Sequence, residues 1–282
     1  MTTATSNDQF LAQLLDDLKS NRLVLPTLPE VALRVRDKVE DPNASAGQIA
    51  DIVATDPALA ARLFQIANSP LYRGTKPIDD LKMAITRLGL GVVRNVVTSL
   101  AMQQIFQPTS DALDSRLRAI WEHSTEVAAI SSVLAKQYTR LRPDEAMLAG
   151  LVHEIGALPI LSRAEEDPAL VEDESRLDAL LEEASGTIGQ EILKAWGFPD
   201  TMVAVPAGVR DLGRDSGGKP DYTDVVQVAK LQALMGTDHP LAQADWSTVP
   251  AFAKLGIACD VEEIDIGMPP EEVDAVRDLL QG

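Results

Sequence analysis

The sequence predicts an all-α protein, and two observations lead to that prediction. Apolar residues make up 45% of the 282 residues but aromatic residues only 4%, so the core must consist mainly of Leu, Val, Ile, Ala and Met. The strands of β-sandwiches and barrels are enriched in aromatic and β-branched residues, so this composition favours packed helices. In addition, apolar residues recur at helical spacing along most of the chain.

The first helices follow from apolar stripes and capping residues. A stripe of leucines with one phenylalanine predicts an amphipathic helix over residues 6–20. Pro29 suits the first turn of the next helix, because proline lacks an amide donor that this turn leaves unused. Ser45 is a suitable N-cap for a third helix. Asp56-Pro57 is a sharper start signal, combining a capping carboxylate with proline at the first helical position.

Proline and glycine divide the region that follows. The helix beginning at Pro57 is expected to end before Pro70. A short helix is predicted over 78–88, and we expect Gly89 and Gly91 to interrupt the chain before a long apolar segment. Residues 107–110, with the sequence QPTS, are the best candidate for a linker.

Beyond this linker the pattern is helical again. One or two long helices are predicted over 112–138, and Pro143 begins another. An acidic stretch follows at 165–174, and three glycines predict a flexible loop over 211–220. The remaining helices are predicted at 177–183, 188–196, 222–235 and 270–281.

Charge and cysteine content restrict the function classes. The 25 basic and 43 acidic side chains give a formal charge of −18, which repels a phosphate backbone and argues against broad nucleic-acid binding. The one cysteine, Cys259, cannot pair within its chain, which fits a reducing compartment. Because there is neither an apolar run of membrane-spanning length nor a signal-peptide pattern at the start, we expect a cytoplasmic protein without membrane contact.

Three blocks of sequence resemble a known family. They are LPTLPEVALRV at 25–35, DPALAARLFQIANSP at 56–70 and AITRLGLGVVRN at 84–95. In this order they resemble the amino-terminal half of the HDOD family, whose members are bacterial regulatory domains related to HD-type phosphohydrolases. The similarity covers about residues 23–235.

The resemblance implies a two-lobed helical domain, with an amino-terminal helical lobe and a degenerate HD-like lobe. We predict four segments: an amino-terminal helix, the two halves of the HDOD domain and an acidic carboxy-terminal extension that packs back on one of them. Their bounds are 1–22, 23–110, 111–236 and 237–282.

The second half is where chemistry is expected. In active HD-type phosphohydrolases one helix supplies a histidine, a later turn an adjacent His-Asp pair, and a further helix a final aspartate, which together hold metals that activate water. By resemblance, His123 corresponds to the first of these ligands and His153 to the second.

The rest of the ligand set departs from the family pattern. Glu154 replaces the aspartate after His153, Ala157 replaces a lysine, and Lys230 stands where the last aspartate is expected. An ammonium has no lone pair for a metal and repels one. Two His and one Glu could form a zinc site in principle, yet the cation at the fourth corner argues against catalysis. We therefore predict vestigial metal-site positions with no resident metal, no cofactor and no catalytic residue.

A structural interpretation of these residues stands beside the functional one. His123 and His153 lie on apolar helical segments, where a histidine is more often a hydrogen-bonded core residue. Glu154 and Lys230 are then hypothesised to face each other as an ion pair in the place of the lost metal.

A local basic cluster stands out against the acidic background. Its members are Arg73, Lys76, Lys82, Arg87 and Arg94. The functional interpretation is a patch that binds an anion or an acidic partner. The alternative, favoured by the general behaviour of charge runs, is an ordinary solvated helix face.

The resemblance implies a non-catalytic bacterial signal-transduction module that acts through contacts with a protein partner. Two alternatives stay open. One is a metal-dependent phosphohydrolase acting on a nucleotide or cyclic dinucleotide, and the other is a nucleotide sensor without catalysis.

Overall fold

The all-α prediction is confirmed. The computed structural model describes residues 2–20, 22–69, 72, 74, 78, 80–106, 111–257 and 269–281. These residues form sixteen α-helices and two short 3-10 helices and contain no β-strand. The linker predicted at 107–110 lies outside the described residues, as do Arg73, Lys76 and Cys259.

The helices follow one another with short connections. Helices α1 to α6 span Thr2–Lys19, Glu30–Glu40, Ala46–Val53, Pro57–Asn68, Leu81–Leu88 and Leu90–Met102. Helices α7 to α11 span Asp111–Tyr138, Pro143–Val152, Ala157–Ala164, Pro168–Glu172 and Glu174–Ala195. Helices α12 to α16 span Asp200–Val203, Val205–Gly208, Tyr222–Ala233, Pro250–Leu255 and Pro270–Gln281, and the 3-10 helices cover Pro240–Gln243 and Trp246–Thr248.

The capping residues act as their chemistry predicts. Ser45 accepts a hydrogen bond from the amide of Gln48, whose side chain accepts in return from the amide of Ser45, so α3 begins with a capping box. Asp56 accepts from the amides of Ala58 and Leu59 and sets the start of α4. These contacts satisfy amides that the first turn of a helix would otherwise leave unpaired.

Two predicted interruptions are wrong. Gly91 lies inside α6, and the break falls at Gly89 alone, whose φ of 83° is a left-handed conformation that suits glycine. The helices predicted at 177–183 and 188–196 are one continuous helix, α11. Its two internal glycines serve close packing: a methyl group at Gly189 would lie 2.7 Å from Pro206 Cβ. The acidic stretch at 165–174 also contains a short helix, α10.

The long helix α7 is the centre of the packing, and α8, α14 and α16 all lie against it. Helix α8 comes so near that a methyl group at Gly150 would lie 2.7 Å from Ala128 Cα. The carboxy-terminal helix α16 packs back on α7 through buried valines and a leucine, and an ion pair of 2.9 Å joins Arg277 to Glu126. The buried apolar residues form one continuous cluster, so the division into the four predicted segments stays a prediction.

One helical stretch, 143–164, is long and apolar enough to cross a membrane by length and composition. Of its most apolar window, 78% is buried inside the protein. A core helix passes the same test, and this stretch contains α8 and α9, which lie in the middle of the packing.

The turn between α8 and α9 depends on a glycine that has no room for a side chain. A methyl group at Gly156 would lie 2.0 Å from the backbone oxygen of Ser185 on α11.

Gly156→Ala is therefore expected to lower the free energy of unfolding by about 3 kcal/mol through overpacking, measured by urea denaturation. Gly47→Ala in α3 is the matched control, because its nearest atom is 3.8 Å away and alanine favours a helix. Equal stabilities for the two variants would contradict this assignment.

Candidate functional site

The four predicted vestigial residues come together in the structure. His123 lies on α7, His153 and Glu154 lie on the turn that follows α8, and Lys230 lies on the last turn of α14. The contacts of α7 with α8 and α14 bring these elements into one place. The two imidazole rings are 5.7 Å apart between centroids, and one ligand atom from each of His123, His153 and Glu154 lies within 4.8 Å of the others.

Lys230 occupies the fourth corner and binds the carboxylate. Its Nζ lies 3.1 Å from Oε1 of Glu154, and the two side chains are only 10% and 18% exposed. A second cation, Arg210, places Nη2 4.0 Å from the same oxygen and also binds Glu182. The Glu154 carboxylate is therefore compensated by an ammonium and a guanidinium from the protein itself.

Burial keeps the two histidines neutral. The pKa of His153 falls to about 3, chiefly because burial removes the charged form from water, with Lys230 and His123 adding to the effect against Glu154. Burial also lowers the pKa of His123. Burial alone would raise the pKa of Glu154, but Lys230, the two histidines and Arg210 together outweigh it and hold that pKa well below its usual range. The site thus holds two neutral rings, one carboxylate and one ammonium.

The tautomer of His153 follows from one hydrogen bond. Its Nδ1 lies 2.6 Å from the backbone oxygen of Gly150, so the proton is on Nδ1 and donates to that carbonyl. The lone pair is then on Nε2, a buried atom without a hydrogen-bond partner in the described part of the chain, 3.6 Å from Glu154 Oε1. A buried imidazole nitrogen without a hydrogen-bond partner can serve as a metal ligand. This nitrogen is the feature in which the site most resembles an active HD site.

The donor set as a whole does not fit a divalent cation. Three residues can donate to a metal, and the only carboxylate among them is engaged by Lys230 at hydrogen-bond distance. An ammonium cannot ligate a metal and its charge opposes one. The position of an anionic ligand in the family pattern is thus held by a cation, which pairs with the remaining carboxylate.

The described members of the basic cluster have different partners. Lys82 is exposed on α5, while Arg87 donates to the backbone oxygen of Ala67 at 3.1 Å. Arg94 on α6 faces a cavity, where its Nη2 lies 4.0 Å from Glu145. Arg94 therefore has a separate role from the exposed Lys82, and a single patch of all five residues stays a prediction.

A buried polar network joins α6 to α8 and was missed from the sequence. Asp144, only 4% exposed, accepts from Asn95 Nδ2 at 2.5 Å and from Arg142 at 3.0 Å. Beside it the hydroxyl of Tyr222 donates to Glu145 at 2.5 Å. The available signal was a lone asparagine on the apolar helix α6. Acidic residues such as Asp144 and Glu145 are also expected in the first turn of a helix, where the helix dipole is positive. Nothing in the sequence therefore indicated their role in the network.

The chain belongs to the HDOD domain family. Residues 25–210, about two thirds of the chain, match the family model of the HDOD domain. This match confirms the resemblance inferred from the three sequence blocks.

Solved structures with similar folds carry related names. A protein of Shewanella amazonensis SB2B, named as a candidate metal-dependent phosphohydrolase, is 32% identical with a TM-score of 0.85, and the match covers 99% of this chain and 100% of that one. An HDOD domain protein of unknown function from Geobacter sulfurreducens is 22% identical with a TM-score of 0.69, over 97% and 98% of the two chains. A candidate signal transduction protein from Marinobacter aquaeolei VT8 is 22% identical with a TM-score of 0.60, over 99% of this chain and 66% of that one.

Among curated proteins, one from Treponema pallidum (strain Nichols), whose name assigns no function, is 23% identical over 216 residues. The match covers 72% of this chain but 39% of that protein, so the chain spans about two fifths of the length of this relative.

The Glu154–Lys230 pair is expected to be a strongly coupled buried ion pair. In a double-mutant cycle with Glu154→Gln and Lys230→Met, we expect a coupling free energy of about 1–3 kcal/mol, because each single change leaves the other charge buried without its main partner. Urea denaturation of the four proteins measures it. The exposed pair Asp114 and Arg118 on α7 is the control, with a much smaller coupling. Additive effects at Glu154 and Lys230 would show that the contact contributes nothing.

Proposed function

We propose that this protein is a non-catalytic, cytoplasmic regulatory module of a bacterial signalling pathway that acts through contacts with a protein partner. The observation that carries the proposal is the position of Lys230, whose ammonium lies 3.1 Å from the only carboxylate of the former metal site. The same helical framework that would hold a metal instead holds a charge pair. This arrangement favours a scaffold over a hydrolase.

The charge balance of the site supports this interpretation. A hydrolytic metal supplies positive charge that stabilises neighbouring carboxylates and lowers the pKa of a bound water. Here Lys230 and Arg210 supply the positive charge next to Glu154, and neither can bind a water as a Lewis acid. The electrostatic stabilisation of Glu154 therefore comes from the protein's own side chains, which supports a scaffold role.

A partner surface is proposed on the amino-terminal half. Helix α5 carries Lys82, and next to it Met83 is 55% exposed, one of the few large apolar side chains exposed among the described residues. A cation beside an exposed apolar side chain suits an amphipathic segment with acidic residues. Because the chain has a formal charge of −18, most of its surface repels an acidic segment, and such a segment is expected to bind selectively at a positive position.

A metal-dependent phosphohydrolase is the second candidate function. The specific observation in its favour is that ligand atoms of His123, His153 and Glu154 lie within 4.8 Å of one another. The Shewanella protein named as a candidate phosphohydrolase, at 32% identity, adds to it. A conformation in which Lys230 leaves Glu154 would be needed for this function.

The two candidates differ in metal content and turnover. We expect the purified protein to hold far less than one equivalent of manganese, iron or zinc and to leave bis-p-nitrophenyl phosphate uncleaved. The double variant Glu154→Asp with Lys230→Asp restores the ligand set of the family. It is expected to bind about one equivalent of metal per protein chain. Elemental analysis after dialysis measures the metal content. Lys230→Met, which removes the cation without adding a ligand, is the matched control. Stoichiometric metal with turnover in the unmodified protein would overturn the proposal in favour of the hydrolase.

The partner surface is tested by chemical crosslinking in the native cell with the full chain. We expect a discrete crosslinked partner that is reduced about tenfold by Lys82→Glu with Met83→Ser, because the change removes both the cation and the apolar contact. Lys219→Glu, in the exposed loop before α14, is the control for a change of charge alone. Unchanged crosslinking by a variant with an unaltered melting temperature would exclude α5 as the surface.

A further inference from the structure

A cavity of about 330 Å³ lies between helices of the two predicted halves of the domain, and none of the four vestigial metal-site residues lines it. Its walls come from α2, α6 and α8 and from the turn between α11 and α12. Its lining includes the side chains of Leu28, Arg36, Glu40, Arg94, Glu145 and Met202. The volume is within the usual range for sites that bind small organic ligands.

The floor of the cavity is apolar. Leu28, Leu148 and Met202 are each less than 5% exposed, and the ring of Phe198 closes one side. These side chains come from different elements, so the surface is formed only when the fold is complete. An apolar ligand body of the size of a large side chain would be desolvated there.

Arg94 is the group that points to a ligand of negative charge. Its Nε donates to Asn95 Oδ1 at 3.2 Å, which orients the guanidinium. Its terminal nitrogens donate no hydrogen bond within the described part of the chain, and the nearest carboxylate, on Glu145, is 4.0 Å from Nη2. Glu145 already accepts from Tyr222. A guanidinium fork with this geometry matches a carboxylate or phosphate in bidentate fashion.

The lining also carries a carboxylate available for a cation. Glu40 on α2 is exposed and has no ion-pair partner among the described residues, whereas Arg36 donates to the backbone oxygen of Trp196 and lies 3.5 Å from Asp37. The lining contains two carboxylates, Glu40 and Glu145, and two guanidinium groups, Arg36 and Arg94, so its own charges balance. On a chain with a formal charge of −18, such a cavity favours a ligand without net charge over a dianion such as a nucleotide phosphate. It suits a ligand with one negative and one positive group on an apolar body.

We propose that this cavity is a binding site for a free amino acid with a large apolar side chain. The ligand carboxylate binds the terminal nitrogens of Arg94, its ammonium binds Glu40, and its side chain lies on Leu28 and Met202. Such a ligand would contact α2 and α6 together with α8 and the turn before α12, so it joins the two halves of the domain. The inference goes beyond the regulatory function proposed above and does not depend on the state of the degenerate metal site.

The charges on the ligand and the walls can be varied independently. With isothermal titration calorimetry on the full chain, we expect L-phenylalanine to bind, 3-phenylpropionate to bind more weakly and 2-phenylethylamine not to bind. Arg94→Gln is expected to weaken binding of L-phenylalanine about tenfold or more, because a charge-assisted pair is lost. Glu40→Gln is expected to weaken L-phenylalanine while leaving 3-phenylpropionate unchanged.

Arg118→Gln on the exposed face of α7, which does not line the cavity, is the matched control and should bind as the unmodified protein does. A melting temperature for each variant separates loss of binding from loss of folding. No binding of any of the three compounds, equal binding by the Arg94→Gln variant, or binding of adenosine monophosphate at this site in preference to L-phenylalanine would overturn the proposal.

Discussion

The ion pair between Lys230 and Glu154 is the interaction on which the charge balance of the core depends. It lies in the centre of the helical packing, where α7, α8 and α14 meet, and a charge there is tolerated only if another compensates it. A metal ion would supply that compensation in an active HD site. In this chain a lysine does so, with Arg210 as a second cation. The charge of the buried carboxylate is thus balanced by the protein's own side chains, which supports the proposed non-catalytic function.

The packing around this pair is unusually close because glycines admit it. Gly156 brings the turn that carries His153 and Glu154 against the backbone of α11, and Gly150 brings α8 against α7. Both contacts are backbone against backbone, so they resist adjustment by rotation of a side chain. A rigid framework of this kind is suited to positioning ligands of a metal, and it is equally suited to presenting a fixed surface to a partner.

The cavity lined by Arg94 is separate from this site but belongs to the same architecture. The network buries Asn95 and Asp144 between α6 and α8, and both are hydrogen-bonded, as buried polar groups must be, with the half-exposed Arg142 as a further partner of Asp144. The network fixes one wall of the cavity and orients the arginine at its mouth. A ligand there would contact α2, α6 and α8, and the proposed partner surface on α5 belongs to a helix that packs against α6. Regulation by a small molecule and contact with a protein are therefore compatible within one chain.

The sequence by itself determined the helical class, the family and most element positions, because helix periodicity, capping and proline placement act locally. It also determined which residues stand at the four former ligand positions. Only the tertiary structure decided what these residues do: that Lys230 reaches Glu154, that Arg87 binds a backbone carbonyl, and that Arg94 faces a cavity. The break expected at Gly91 and the division of α11 into two helices are wrong for the same reason. A glycine signals a break when considered alone, and only the folded structure shows what lies against it: the guanidinium of Arg142 at Gly91 and the ring of Pro206 at Gly189.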